Sequence, residues 1–147
     1  MKAQGKKIHL RVITPENVKV DDKVDMVIMR CNTGYMGILP GHEPRRAVLD
    51  YGIMRILGGS GDERRLAVFG GFAEIKDDIL TVVTGEANWP QDIDMDNEHT
   101  KREHLKRRLQ EHTNDLEIQR DQALLRRLLV RMEIGAYHPF LEKDREK

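Results

Sequence analysis

One cysteine, Cys31, occurs in 147 residues, so no disulfide can form within the chain and a four-cysteine zinc site is excluded. Aromatic residues are only 5% of the composition, and the charged second half has almost none. That disfavours base stacking as a mode of nucleic-acid binding. Neither sign of charge is in excess: 25 basic residues balance 25 acidic ones. Any electrostatic recognition must therefore come from local clusters. No stretch approaches the roughly 18 apolar residues of a membrane span, and the basic start, Met1 to Lys7, is not followed by a signal-type apolar run. The expectation is a cytosolic chain that meets a membrane only through partners. Proline and glycine are missing between Asp92 and Gly135, and this absence divides the chain in two.

Before the division, the chain is cut into short apolar runs. Ile8–Ile13 alternates and ends at Thr14-Pro15, and Met26–Met29 lies in a mostly apolar run that starts at Val24. Gly52–Leu57, Arg65–Phe69, Phe72–Ile75 and Ile79–Val83 follow, separated by Gly58–Asp62, Gly70-Gly71 and Asp77-Asp78. Strand-length runs at regular spacing predict an antiparallel β-sandwich of about ten short strands. With 39% hydrophobic residues, the chain has material for one modest core.

After Pro90, glutamate, lysine, arginine, leucine and glutamine dominate. Asp92 or Asp94 can cap a helix running to about Glu111, with Asp96 and Glu98 in its first turn. His112–Asp115 is a polar break, and Asn114 or Asp115 can cap a second helix that stops near Gly135. Beyond it, Pro139 and a charged tail, Leu141 to Lys147, are expected to fray. Leu105 and Leu109 share one face of the first helix. On the second, Leu125, Leu128, Leu129 and Met132 form a stripe with Leu124 at its margin. The fold class is therefore α+β: a sandwich over 1–90 and an antiparallel helical hairpin over 91–147. So little apolar area joins the helices that the pair should be marginally stable and able to separate.

No catalytic set converges. The glycines at 58, 59 and 61 lack the ending of a phosphate-binding loop. His99 and His104 are five apart and do not share a helix face, so no metal site is expected. Cys31 has no activating neighbour in sequence. Two features remain. The loop Thr33, Gly34, Tyr35, Met36, Gly37, Ile38, Leu39, Pro40, Gly41, His42 either fills the sandwich end or presents a docking surface, and its composition leaves both readings open. In the hairpin, Arg120, Arg127 and Arg131 fall at i, i+7 and i+11, with Asp121 the only acid in that span and Arg102 and Lys106 on the first helix. Arginines without acids beside them suit an acidic partner, unless they form an ordinary solvated face. On these features alone, a protein- or nucleic-acid-binding adaptor using the basic helices is the alternative reading.

The string Gly34-x-x-Gly37-Ile38-Leu39-Pro40-Gly41-His42-x-Pro44 resembles epsilon subunits of bacterial F-type ATP synthases. So do Ile13-Thr14-Pro15-Glu16, Gly52–Ile56 and Gly70–Ile75, in that order along the chain. The resemblance implies a non-catalytic rotor subunit at the cytoplasmic face of the plasma membrane. Its sandwich would bind the gamma subunit and rest on the c-ring through the Thr33–His42 loop. Its hairpin, when extended, would oppose ATP hydrolysis by bringing Arg120, Arg127, Arg131, Arg102 and Lys106 toward acidic segments of the beta subunits beside alpha. Some relatives bind ATP at an Ile/Leu-Asp-x-x-Arg-Ala motif and two helix-two arginines. Ile93, Asp94, Arg127 and Arg131 match, but Asn97 and Glu98 stand where arginine and alanine belong. Losing a positive charge and adding a negative one weakens a polyphosphate site, so ATP binding is expected to be weak or absent and no cofactor is implied. A final departure is Arg45-Arg46, where relatives carry apolar residues; both are expected to be exposed.

Overall fold

The computed structural model describes residues 5–59 and 62–137; the tail discussed above, and Pro139, lie outside them. The chain divides into two units, one up to Ala87 and one from Asn88.

In the first unit, β1 (Ile8–Ile13), β2 (Val18–Val24), β3 (Met26–Cys31), β4 (Gly34–Ile38), β5 (Arg45–Leu57), β6 (Glu63–Lys76) and β7 (Ile79–Val83) pair in the order β2-β1-β7-β6-β5-β3-β4. A two-residue strand, β8 (Ala87–Asn88), pairs with β6. The described residues thus hold eight strands rather than about ten. Of the six ladders along this order, five are antiparallel and one, β1 with β7, is parallel.

The difference in count has a physical cause. Arg65–Phe69 and Phe72–Ile75 are not separate strands: β6 runs through Gly70-Gly71, and β5 opposes it in one register from Arg45↔Ile75 to Leu57↔Glu63. The buried set changes phase at this point. Toward the open end Leu49, Ala73 and Ile75 are the buried residues, whereas toward the turn Met54 and Ile56 are buried on β5 and all of Leu66–Phe69 on β6. The alternation thus breaks at the glycine pair, where the strand pair bends between the layers of the sandwich. Gly70 (φ 78°) and Gly71 (φ 106°) supply the bend. The core joins these residues to Ile8, Leu10, Val12, Val24, Val27, Ile38, Leu80 and Val82. Strands β2 and β4 are the edges. The outer face of β2, with Lys19, Asp21 and Lys23, guards one of them against pairing with another chain.

In the second unit, Trp89 is extended (φ −78°, ψ 159°), as Pro90 requires, and a short 3-10 turn spans Pro90–Asp92. Helix α1 (Met95–Glu111) is capped by Asp94, whose carboxylate accepts from the Asn97 N–H at 3.3 Å. Helix α2 (Asp115–Gly135) is capped by Asn114, which accepts from the Leu116 N–H at 3.0 Å. Gly135 sits against Ile93 and Met95, where a Cβ would come within 2.8 Å of Ile93 Cγ2 and 2.5 Å of Met95 Sδ. The second helix ends on this close packing, as well as on glycine's poor helix propensity.

Candidate functional site

On the outer face of the sandwich, an apolar row crosses five strands. Val48 lies opposite Phe72, Phe72 opposite Val83, Val83 opposite Ile13, and Ile13 opposite Val18. Directly opposed residues share a face, so these five form a continuous ribbon. Phe72 at its centre is 66% exposed; Val18, Val48 and Val83 are about half exposed. A shallow depression of about 450 Å³ follows the ribbon from Val48 and Phe72 to Val83, bordered by Thr81 and by the Arg46–Glu74 ion pair at 2.8 Å. Phe72 stands out of phase with buried Ala73 and Ile75. That clue was present in the sequence, but without the register of β5 and β7 the neighbouring valines could not be assembled around it.

Half of the Thr33–His42 segment, Gly34–Ile38, is strand rather than loop. β4 pairs with β3 from Cys31↔Gly34 to Val27↔Ile38. Tyr35 is 75% exposed with the Arg30 guanidinium 6.0 Å from its ring centre, and Leu39 is also exposed. Thr33, Gly34, Gly37 and Gly41 lie at the surface, and Met36, Pro40 and His42 are half-buried. Ile38 is fully buried and belongs to the core, which corrects its place in the candidate docking set. The turn at Gly41 (φ 83°) is tied down by Asp78, whose carboxylate accepts from the Gly41 N–H at 2.7 Å. Asp77 and Asp78 make the β6–β7 turn with both residues left-handed, a conformation aspartate tolerates. Arg45 and Arg46 are both exposed. Cys31 is buried, and burial pushes its thiol pKa up, against a smaller lowering by Arg45.

In the hairpin, two acids lie inside the seam between the helices. Glu98 and Asp121 are each 1% exposed. Glu98 of α1 accepts from Arg131 of α2, with Oε1 3.2 Å from Nε and 3.1 Å from the terminal nitrogen. Asp121 of α2 accepts from Arg108 of α1 at 3.1 Å, and its second oxygen lies 3.0 Å from His112 Nε2. His112 Nδ1 in turn lies 2.9 Å from Glu117. The two clamps are equivalent: each helix gives one buried acid and one arginine, placed around Leu105 and Leu128. The stripe on α2 is therefore Asp121, Leu125, Leu128 and Met132, whereas Leu124 and Leu129 are exposed.

This geometry corrects the reading of the basic face. Arg131 is not an arginine lacking an acid, because its acid comes from the other helix, where a search along one helix cannot find it. Arg120 and Arg127 are exposed, Lys106 is exposed and Arg102 half-buried. Of the residues resembling a nucleotide site, Asp94 serves as a helix cap, Ile93 packs near Gly135, and Arg131 is held by Glu98. Arg127 lines a groove of about 340 Å³ with Lys101, His104, Arg108 and Arg131. Glu98 lines the same groove, so a carboxylate already sits where an incoming anion would approach Arg131. Its other oxygen, Oε2, is buried without a hydrogen bond, a deficit costing about 1–3 kcal/mol or more. His99 and His104 are exposed, and no group of three potential metal ligands occurs among the described residues. No helix among them is long and apolar enough to cross a membrane.

A β-sandwich exposing an apolar ribbon, followed by a hairpin with an ionic seam, defines an α+β protein built in two units. Residues 7–90 match the family model described as the ATP synthase delta/epsilon chain β-sandwich domain. The chain belongs to the family of ATP synthase epsilon chains. The epsilon chain of Halalkalibacterium halodurans is 34% identical over 129 residues, covering 87% of this chain and 96% of that one. That of Syntrophobacter fumaroxidans is 34% identical over 131 residues, covering 89% and 97%. Among solved structures, a chain of the Euglena gracilis mitochondrial ATP synthase (OSCP/F1/c-ring) superposes with a TM-score of 0.77 at 22% identity. The match covers 90% of this chain and 82% of that one.

Proposed function

We propose that this chain is a non-catalytic central-stalk subunit that couples the membrane c-ring to gamma and the catalytic head, and that its hairpin opposes ATP hydrolysis. The observation that carries the reading is the Val18–Ile13–Val83–Phe72–Val48 ribbon. An exposed apolar strip across five strands is costly to leave in water and suits a permanent partner. We assign it to gamma, and the surface around Tyr35 and Leu39 to the c-ring, which places the chain at the cytoplasmic face of the membrane as part of the complex. Arg120 and Arg127, exposed on α2, suit acidic segments of the beta subunits when the hairpin extends. ATP binds weakly or not at all, because Glu98 opposes a polyphosphate at Arg131.

Truncation before Asp94 tests the brake. The shortened chain should still assemble with gamma, since the sandwich is intact, and hydrolysis by the complex should rise. Assembly with unchanged hydrolysis would remove the inhibitory role; failure to assemble with gamma would overturn the rotor reading itself.

A further inference from the structure

The hairpin seam is unusual in what it buries. Among the described residues of α1 and α2, Leu105, Leu128 and Ile134 are the buried apolar side chains, and Glu98 and Asp121 are buried as deeply. A small apolar seam that also takes two carboxylates out of water gains little net stability from its ion pairs, because desolvation offsets attraction. What the pairs supply is register. Glu98 meets Arg131 and Asp121 meets Arg108 at one shared alignment of the antiparallel helices. Sliding α2 by one turn would leave both acids buried without their arginines. Such arrangements select one geometry while remaining easy to open.

We propose that Glu98–Arg131 and Asp121–Arg108 form a two-point latch that holds the hairpin shut without any ligand, and that Glu98 is an internal stand-in for an acidic protein segment. While the hairpin is closed, Arg131 is engaged by a carboxylate of its own chain. When the helices separate, Glu98 is resolvated and Arg131 is released to a carboxylate on a partner. The exchange conserves the number of arginine–carboxylate pairs, so partner engagement and hairpin closure compete directly for one guanidinium. This rests on the inhibitory role proposed above for its partner, though the latch itself does not. Lys101, 3.9 Å from Glu98, and His112 and Glu117 beside Asp121 are further charged groups at the two clamps, and His104 and Arg127 line the same groove.

The asymmetry of exposure makes the test decisive. The acids are buried, but Arg131 and Arg108 are partly exposed, at 23% and 42%. Removing an arginine strands a buried charge, whereas removing the acid leaves an arginine that water can reach. Spin labels on the full chain at Thr100→Cys and Glu133→Cys, both exposed positions on opposite helices, would report helix separation by electron–electron distance. The unsubstituted latch should give one short distance, unchanged by saturating ATP. Arg131→Gln should lower the closed-to-open ratio about a hundredfold or more, and adding Glu98→Gln should recover most of it. Glu98→Gln alone should do far less. Equal effects of the two single changes, no rescue in the double variant, or closure that depends on ATP would overturn the latch. Arg108→Gln, which leaves Arg131 intact, should open the hairpin and deepen inhibition of hydrolysis in the assembled complex. Opening without any change in hydrolysis would uphold the latch and refute the brake.

Discussion

Gly70 and Gly71 are adjacent and both left-handed, yet they differ in what surrounds them. A Cβ on Gly71 would lie 2.1 Å from the Val83 carbonyl oxygen, whereas one on Gly70 would meet nothing closer than 3.6 Å. Gly70→Ala should therefore cost only the conformational penalty of a left-handed residue, about 1–2 kcal/mol. Gly71→Ala should cost more than that, because the β6–β7 contact must also shift. Denaturant midpoints of the two variants would check the order, and equal losses would mean the bend does not depend on close approach of β7. Cys31 offers a second test at this scale. Its thiol is buried and its pKa raised chiefly by desolvation, so the folded chain holds the proton more tightly than the unfolded one. Its contribution to stability is thus fully present below the ordinary thiol range and declines as pH rises above it. Alkylation at mildly alkaline pH should be at least about tenfold slower in the folded chain than in urea.

At the scale of elements, the two helices were readable almost to the residue because their caps, Asp94 and Asn114, are local signals and the proline- and glycine-free span is unambiguous. β1 and β7 were equally clear. β2 and β4 were not. β2, with sequence VKVDDKV, carries the polar residues of an edge, and β4 is rich in glycine, so neither has an apolar run to announce it. β5 and β6 were shortened or divided because glycine marks both an end and a bend, and only the partner strand distinguishes the two. The clamps were invisible for a related reason. Glu98 and Asp121 occupy positions where an apolar stripe would be expected, and what makes them tolerable there is an arginine on another element. Local rules place elements; the partners that allow them to depart from those rules are non-local.

For the whole molecule, the ribbon is the feature that sequence could least supply, since it takes one residue from each of five strands joined by pairings that skip along the chain. Its centre, Phe72, is flanked by Val48 and Val83 and is two-thirds exposed, so it contributes little to the core of the free chain. Phe72→Asp should leave the melting temperature of the isolated chain nearly unchanged. In the complex it would place a carboxylate in an apolar contact, weakening binding to gamma by about 2–4 kcal/mol if the ring is a central anchor, a loss of roughly thirty- to a thousandfold in affinity. Lys19→Ala, on the polar edge strand β2, should change neither quantity. Titration of gamma with the two variants decides the assignment: an aspartate at 72 that binds as tightly as phenylalanine would put the gamma contact elsewhere on the sandwich. Tight binding combined with loss of c-ring attachment would instead give the ribbon to the ring, reversing the two partners while leaving the ribbon an interface.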